Sequence, residues 1–226
     1  MEDDEIILYT FDLPMYMLPR QISGLRTGYY ELNNLLSGWQ NDEYVIVGYS
    51  KAKYANEFIS NNASASNRAG CMIAIISPNN GTSYSIADHN MTLVLHDCNS
   101  IFDIRKRARR LVRENGIKAL IIDDITKINC GDLKLGSKEK AYHCISRSLC
   151  QLCRELNIPI ISLVPIVANG EIPQLSSFTS IGNLDQYADV VIFLRKANGG
   201  KLIPLVAKNR SGSISDIYCQ SSGGDS

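Results

Sequence analysis

The chain has 226 residues, 45% hydrophobic and 20% charged, an ordinary globular composition with enough length for one sizeable core. Lys and Arg number 23 and so do Asp and Glu, so no net field draws the chain as a whole to nucleic acid or to acidic substrates. Seven cysteines scattered through apolar segments argue against a disulfide framework and for a reducing compartment. No stretch reaches the length of a membrane span, and the acidic residues Glu2, Asp3, Asp4 and Glu5 do not open a signal peptide, so the expected location is the cytoplasm.

In chain order, residues 1–22 hold Pro14 and Pro19 and read as an arm or linker. Residues 23–220 read as one domain and the Ser/Gly-rich residues 221–226 as a disordered tail. Residues 44–47 form an apolar strand. A helix over 56–68 is weakened by its Asn and Ser content. Strands follow at 72–76 and 91–95. Residues 103–115 predict an amphipathic helix with Ile104, Ala108, Leu111 and Val112 on one face, ended by Gly116. A short strand at 120–122 is closed by Asp123 and Asp124. A long helix over 137–156 leads through Pro159 to a strand at 160–164. Strands at 190–194 and 202–207 are joined across Asn198, Gly199 and Gly200, a hairpin signal.

Alternating helices and continuous apolar strands predict an α/β fold, with a mainly parallel central sheet flanked by helices and a C-terminal antiparallel hairpin. Ligands of such sheets bind beyond the carboxyl ends of the strands. The loops after Val47, Ile76, Ile122 and Val164 are therefore the expected site.

The stretch VIVGYSKAKYANEF, residues 45–58, approaches a phosphate-binding loop. Such a loop needs glycines so that backbone N–H groups can turn toward phosphates, a lysine for the β- and γ-phosphates, and a small hydroxyl for magnesium. Gly48 and Lys53 fit, with Lys51 nearby. Ala52 stands where glycine is required, Tyr54 stands where Ser or Thr is required, and the loop is a residue short. An ordinary strand-to-helix turn with exposed lysines is the better reading.

Several segments line up with one family. Residues 24–48 (GLRTGYYELNNLLSGWQNDEYVIVG) resemble the approach to the P-loop of RecA-type ATPases. The segments DIRKRARRLVRENG, KALIIDD, SKEKAYHCISRSLCQLCRELNIPIISL, PQLSSFTSIGNLDQYADVVIFL and AKNRSG follow in the order found in DnaB-type replicative helicases. The chain resembles the C-terminal RecA-like ATPase domain of that family, as a degenerate member with an eroded Walker A. The resemblance implies a RecA-like P-loop NTPase fold, a ring of subunits, ATP and Mg2+ as cofactors, and single-stranded DNA in the ring's channel.

Carried over residue by residue, the resemblance gives an uneven result. Gly48, Lys51, Ala52, Lys53, Tyr54, Asp123 and Asp124 occupy the nucleotide-binding positions as vestiges. Asn79 stands at the position of the catalytic glutamate, and an amide cannot accept a proton from attacking water. Asp124, or Asp123 beside it, either holds magnesium through water or caps the following turn. Pro165 stands near the family's sensor Gln, and no Arg or Lys occurs between residues 168 and 179, where DNA-facing cations belong. Lys208 and Arg210 match the pair that reaches into a neighbouring subunit's site, and a basic β-turn explains them equally well.

The basic helix 105–113 reads as a solvated face. His143 with Cys144, Cys150 and Cys153 lies within one helix, where buried thiols are a better explanation than zinc.

The expected function is a DnaB-like helicase-related domain that does not hydrolyse ATP and acts as a binding or assembly component in DNA replication or processing. Its expected partners are copies of itself, or an active relative in a mixed ring, with single-stranded DNA as a weaker expectation and no membrane. The alternative is an active ATP-dependent DNA helicase with an atypical P-loop, in which Lys53, Asp124 and Arg210 carry the chemistry. A third reading is an unrelated ligand in the old nucleotide cleft.

Overall fold

A computed structural model describes residues 22–78, 84, 91–131, 136–167, 172–197 and 200–215. Seven strands form one sheet in the order β3-β2-β4-β5-β1-β6-β7. They are β1 (Tyr44–Tyr49), β2 (Ile73–Ile76), β3 (Thr92–Leu95), β4 (Ala119–Ile122), β5 (Ile160–Pro165), β6 (Val190–Lys196) and β7 (Leu202–Asn209). Every neighbouring pair is parallel except β6 with β7, the antiparallel C-terminal hairpin. The predicted α/β architecture is therefore the observed one, although Asn198 and Gly199 of the predicted turn lie outside the described residues.

The strands alternate between two cores. Tyr44 and Ile46 of β1, Leu120 and Ile122 of β4, and Ile160 and Val164 of β5 face one core. Helices α3 (Ile101–Asn115) and α4 (Lys138–Leu156) cover it. Val45 and Val47, Ala119 and Ile121, and Ile161 and Leu163 face the other, covered by α1 (Tyr30–Leu36) and α2 (Ala52–Arg68). Burial on both faces is why these strands are apolar without a break.

Helix α3 begins two residues earlier than the sequence predicts, because the Ser100 hydroxyl accepts the Phe102 N–H and caps it. It ends at Gly116, as predicted, in the left-handed conformation. Ile104 and Ala108 are buried and Leu111 and Val112 half-buried along the predicted face.

Two departures have tertiary causes. Helix α1 is absent from the sequence-based expectation, since seven residues without a side-chain N-cap are a weak local signal. It forms because Leu32 and Leu36 both insert into the core. Helix α2 starts at Ala52 and is better formed than its Asn and Ser content suggests. Its Asn62 is buried, accepts the indole N–H of Trp39 at 2.7 Å and donates to the Phe58 carbonyl at 2.8 Å. A residue with poor helix propensity is thus retained to satisfy a buried tryptophan.

A 3-10 segment, Leu175–Ile181, seats Phe178 against Phe193 of β6 with ring centroids 5.3 Å apart. Both rings are fully buried in the core, against Gly48 of β1.

Candidate functional site

The carboxyl ends of β1 and β4 carry Gly48, Lys51, Ala52, Lys53, Tyr54, Asp123 and Asp124 of the predicted site residues. Gly48 lies inside β1, paired with Val164 of β5 and Phe193 of β6. A Cβ at this glycine would lie 2.7 Å from Cδ1 of Phe193 and 3.3 Å from Cζ of Phe178. Close approach of two aromatic rings therefore accounts for glycine here.

The strand continues to Tyr49, and α2 begins at Ala52. Only Ser50 and Lys51 connect them. Lys51, Ala52 and Lys53 are exposed, and the Lys53 ammonium lies 5.7 Å from the ring centroid of Tyr54. The Tyr54 side chain is packed in the core with Tyr49, Phe58 and Ile59, leaving it 8% exposed.

Asp123 and Asp124 follow β4 directly and both are buried. Asp123 Oδ2 accepts the Tyr84 hydroxyl at 2.7 Å and the Ser77 hydroxyl at 3.0 Å. Asp124 Oδ1 accepts both the backbone N–H and the hydroxyl of Thr126, at 2.9 and 2.6 Å, and so caps the 3-10 turn Ile125–Lys127. Burial raises the Asp124 carboxyl above its ordinary range, against the lowering effect of the Thr126 hydrogen bonds. Burial likewise raises the Tyr49 and Tyr84 phenols, and the neighbouring aspartates add to it. This end of the sheet therefore holds two carboxylates beside two neutral phenols, and among the described residues no cation forms an ion pair with either carboxylate.

Sequence reasoning misses Tyr49 and Tyr84. Tyr49 stands next to Gly48, so its position was a usable signal. Tyr84 sits in a Ser/Asn-rich stretch that offers none. Asn79 and residues 168–171 of the expected channel loop lie outside the described residues.

Lys208 and Arg210 lie at the opposite end of the sheet. Lys208 pairs with Val191 near the start of β6, and its ammonium donates to the Asp185 carbonyl at 2.7 Å. Arg210 follows β7, and its guanidinium donates to Asp189 Oδ1 at 2.9 Å. Arg154 of α4 also binds Asp189, at 3.2 Å, and Asp189 Oδ2 accepts the Tyr44 N–H at 3.0 Å. Arg154, Asp189 and Arg210, with Glu43, Asp42 and Gln40, line a cavity of about 340 Å3. Arg154 and Asp189 carry no local sequence signal, because their meeting depends on α4 lying beside the start of β6.

Cys150 and Cys153 are buried and Cys144 is half-buried in α4, and the described residues contain no cluster suited to a metal ion. No described helix is long and apolar enough to cross a membrane.

A mostly parallel seven-stranded sheet, covered on both faces and closed by an antiparallel hairpin, defines a RecA-like ATPase fold. The chain superposes on a solved ATPase domain with a TM-score of 0.75, covering 86% of this chain and 87% of that one at 18% identity. It superposes on a DnaB-like replicative helicase, solved in a study that includes its interactions with primase, with a TM-score of 0.73, 86% and 59% coverage and 18% identity. The sequence profile of the DnaB-like helicase C-terminal domain matches residues 82–223, and the chain belongs to that family.

Among its relatives, the replicative DNA helicase DnaB of Geobacillus stearothermophilus is 24% identical over 94% of this chain and 58% of its own length. The DnaB of Treponema pallidum is 28% identical over 89% of this chain and 55% of its own length. A probable plasmid replicative DNA helicase of Chlamydia psittaci is 33% identical over 59% of this chain and 30% of its own length. The chain thus spans little more than half the length of the two DnaB helicases.

Proposed function

We propose that this chain is a DnaB-like domain that keeps the RecA-like scaffold without hydrolysing ATP, and that it serves as a binding or assembly component in DNA replication or processing. The observation that carries this reading is the two-residue connection between Tyr49 and Ala52, with Tyr54 buried behind it. A phosphate cradle needs several successive N–H groups turned inward and a hydroxyl facing the metal. Here a phenol fixed in the core replaces that hydroxyl. The residues present do not fit ATP with magnesium: the glycine before Lys53 is Ala52, and Asp124 Oδ1 is already bonded to Thr126.

Equilibrium binding of a labelled ATP analogue in the presence of magnesium tests the reading. Absence of magnesium-dependent binding up to millimolar concentration is expected. Magnesium-dependent affinity in the low micromolar range, with turnover abolished by Lys53→Ala, would instead establish the active ATPase.

A second reading concerns Lys208 and Arg210, and their placement favours it. They stand at the far end of the sheet from their own chain's Gly48 and Asp124, so they do not reach a phosphate held at that end of their own chain. In a mixed ring with an active relative, Arg210 would leave Asp189 and stabilise charge on the partner's transferring phosphoryl group. Arg210→Ala is then expected to lower the partner's ATPase rate in the mixed complex. An unchanged rate removes this reading and leaves the assembly role standing.

A further inference from the structure

We propose that the acidic residues Glu2, Asp3, Asp4 and Glu5 dock, within the same chain, on the face of α3 that carries Lys106, Arg107 and Arg110, and that the apolar residues after them cover the open edge of β3. This goes beyond the function proposed above and holds whether or not the chain binds ATP or assembles.

The receiving groove is a cavity of about 530 Å3 between α3 and the end of β3. Lys106, Arg107 and Arg110 line it, with Leu95 and Leu111 as its apolar part and Asp103 from the first turn of the helix. Among the described residues β3 pairs only with β2, so it is an edge of the sheet. Leu93, Val94 and Leu95 on this edge strand are all half-buried. An apolar edge left open is a template for pairing with another chain, and proteins ordinarily cover it.

Charge selects the occupant. Helix α3 carries two basic stripes. Arg105 and Arg109 turn to α4, where Glu155 holds both. Lys106 and Arg107 line the groove and form no ion pair among the described residues, and Arg110 beside them pairs with Glu114 of its own helix. The groove stripe therefore lacks the acidic partner from another element that the α4 stripe has. The chain carries such a partner outside the described residues, in four consecutive acids at 2–5 followed by Ile6, Ile7, Leu8 and Tyr9. The acids match the cations, and a run with high strand propensity matches Leu95, Leu111 and the strand edge.

The reach is short. The described residues begin at Ile22, which lines a cavity of about 310 Å3 with Cys71 and Lys118 at the amino ends of β2 and β4. Lys118 comes shortly after Asn115, which ends α3 and lines the groove. Residues 6–21 span up to about 50 Å when extended, against roughly 22 Å for the whole of α3. The acids therefore reach Lys106 with slack.

Carbodiimide coupling of the whole chain tests the docking, because it joins a carboxylate to a lysine amine in direct contact. Linked peptides are read by mass spectrometry, and a mixture of isotope-labelled and unlabelled chains separates links within a chain from links between chains. Lys106 is expected to link to residues 2–5 within one chain, in preference to the exposed Lys53, Lys138 and Lys140. Arg107→Glu with Arg110→Glu leaves the Lys106 amine in place and is expected to lower the yield at least about fivefold, the size for reversal of two exposed charge pairs. Salt at about 1 M is expected to lower it likewise by screening. Far-UV circular dichroism checks folding, and Arg107→Gln with Arg110→Gln replaces the reversals should those unfold the chain. Glu2→Gln, Asp3→Asn, Asp4→Asn and Glu5→Gln together are expected to speed amide exchange at residues 92–95 at least about threefold, by uncovering the edge. The proposal is overturned by absence of Lys106 links, by equal coupling to the control lysines, by links found only between chains, or by unchanged exchange in the variant with the neutral segment.

Discussion

Arg210 is hydrogen-bonded to Asp189 of its own chain, Nη1 to Oδ1 at 2.9 Å. The two residues play unequal parts. The Asp189 side chain is 11% exposed and also bonds the Tyr44 N–H and Arg154, whereas that of Arg210 is 69% exposed. Removing the arginine costs an exposed ion pair, about 0–1 kcal/mol. Removing the aspartate strands a buried backbone donor at the start of β1 and takes the shared acceptor from two guanidiniums. Asp189→Ala is therefore expected to destabilise by about 3 kcal/mol and Arg210→Ala by less than about 1, measured by urea unfolding. Equal losses would mean that the exposed pair anchors the hairpin.

Glu43 predicts a pH dependence. Its carboxyl is pushed up to about 7, by burial first and then by Asp189 and Asp42, against a lowering hydrogen bond from the Gln40 N–H. In the unfolded chain it ionises near the ordinary glutamate value. Between the two values the folded state holds the extra proton, so stability falls as pH rises from about 4.5 to 7. The contribution lost across that window is at most about 3 kcal/mol. Glu43→Gln should flatten this part of the stability profile, followed by thermal unfolding at a series of pH values. A parallel fall in both proteins would show that Glu43 is not its source.

Tyr54→Ser supplies the hydroxyl type that a Walker A asks for at this position. It should not create an ATP site, since the connection from Tyr49 to Ala52 still has only two residues. It should cost about 3 kcal/mol, because a buried aromatic ring leaves a cavity beside Phe58 and Ile59. Magnesium-dependent nucleotide binding by this variant would show that loop length is not the barrier.

Gly48→Ala tests whether packing fixes that glycine. The added methyl meets the Phe193 ring at 2.7 Å, an overpacking expected to cost about 1–3 kcal/mol. Phe193→Leu in the same chain should recover part of the loss, seen as non-additivity in a double-mutant cycle. Additive losses would place the strain in the backbone rather than against the ring.

The expected seat of function looks different once the side chains are placed. Asp123 and Asp124 end a predicted strand and do end β4, but their partners Tyr84, Ser77 and Thr126 are what give them the role of acceptors in a closed network. Lys208 and Arg210 are legible as a pair from AKNRSG. Their distance from the other site residues is not, because it follows from the antiparallel return of β7 along β6.

The sheet, the α3 and α4 helices and the family are legible in the amino-acid order alone, because apolar periodicity and ordered motifs are local properties of the chain. So are the residue types that stand at the phosphate-loop positions. The burial of Tyr54, the Asn62 bond to Trp39 that offsets a poor helix propensity, and the seating of Arg210 on Asp189 are set by the folded chain. Each of these depends on contacts between segments distant in sequence, and burial and hydrogen bonding across such contacts outweigh the fractions of a kcal/mol that local propensity contributes.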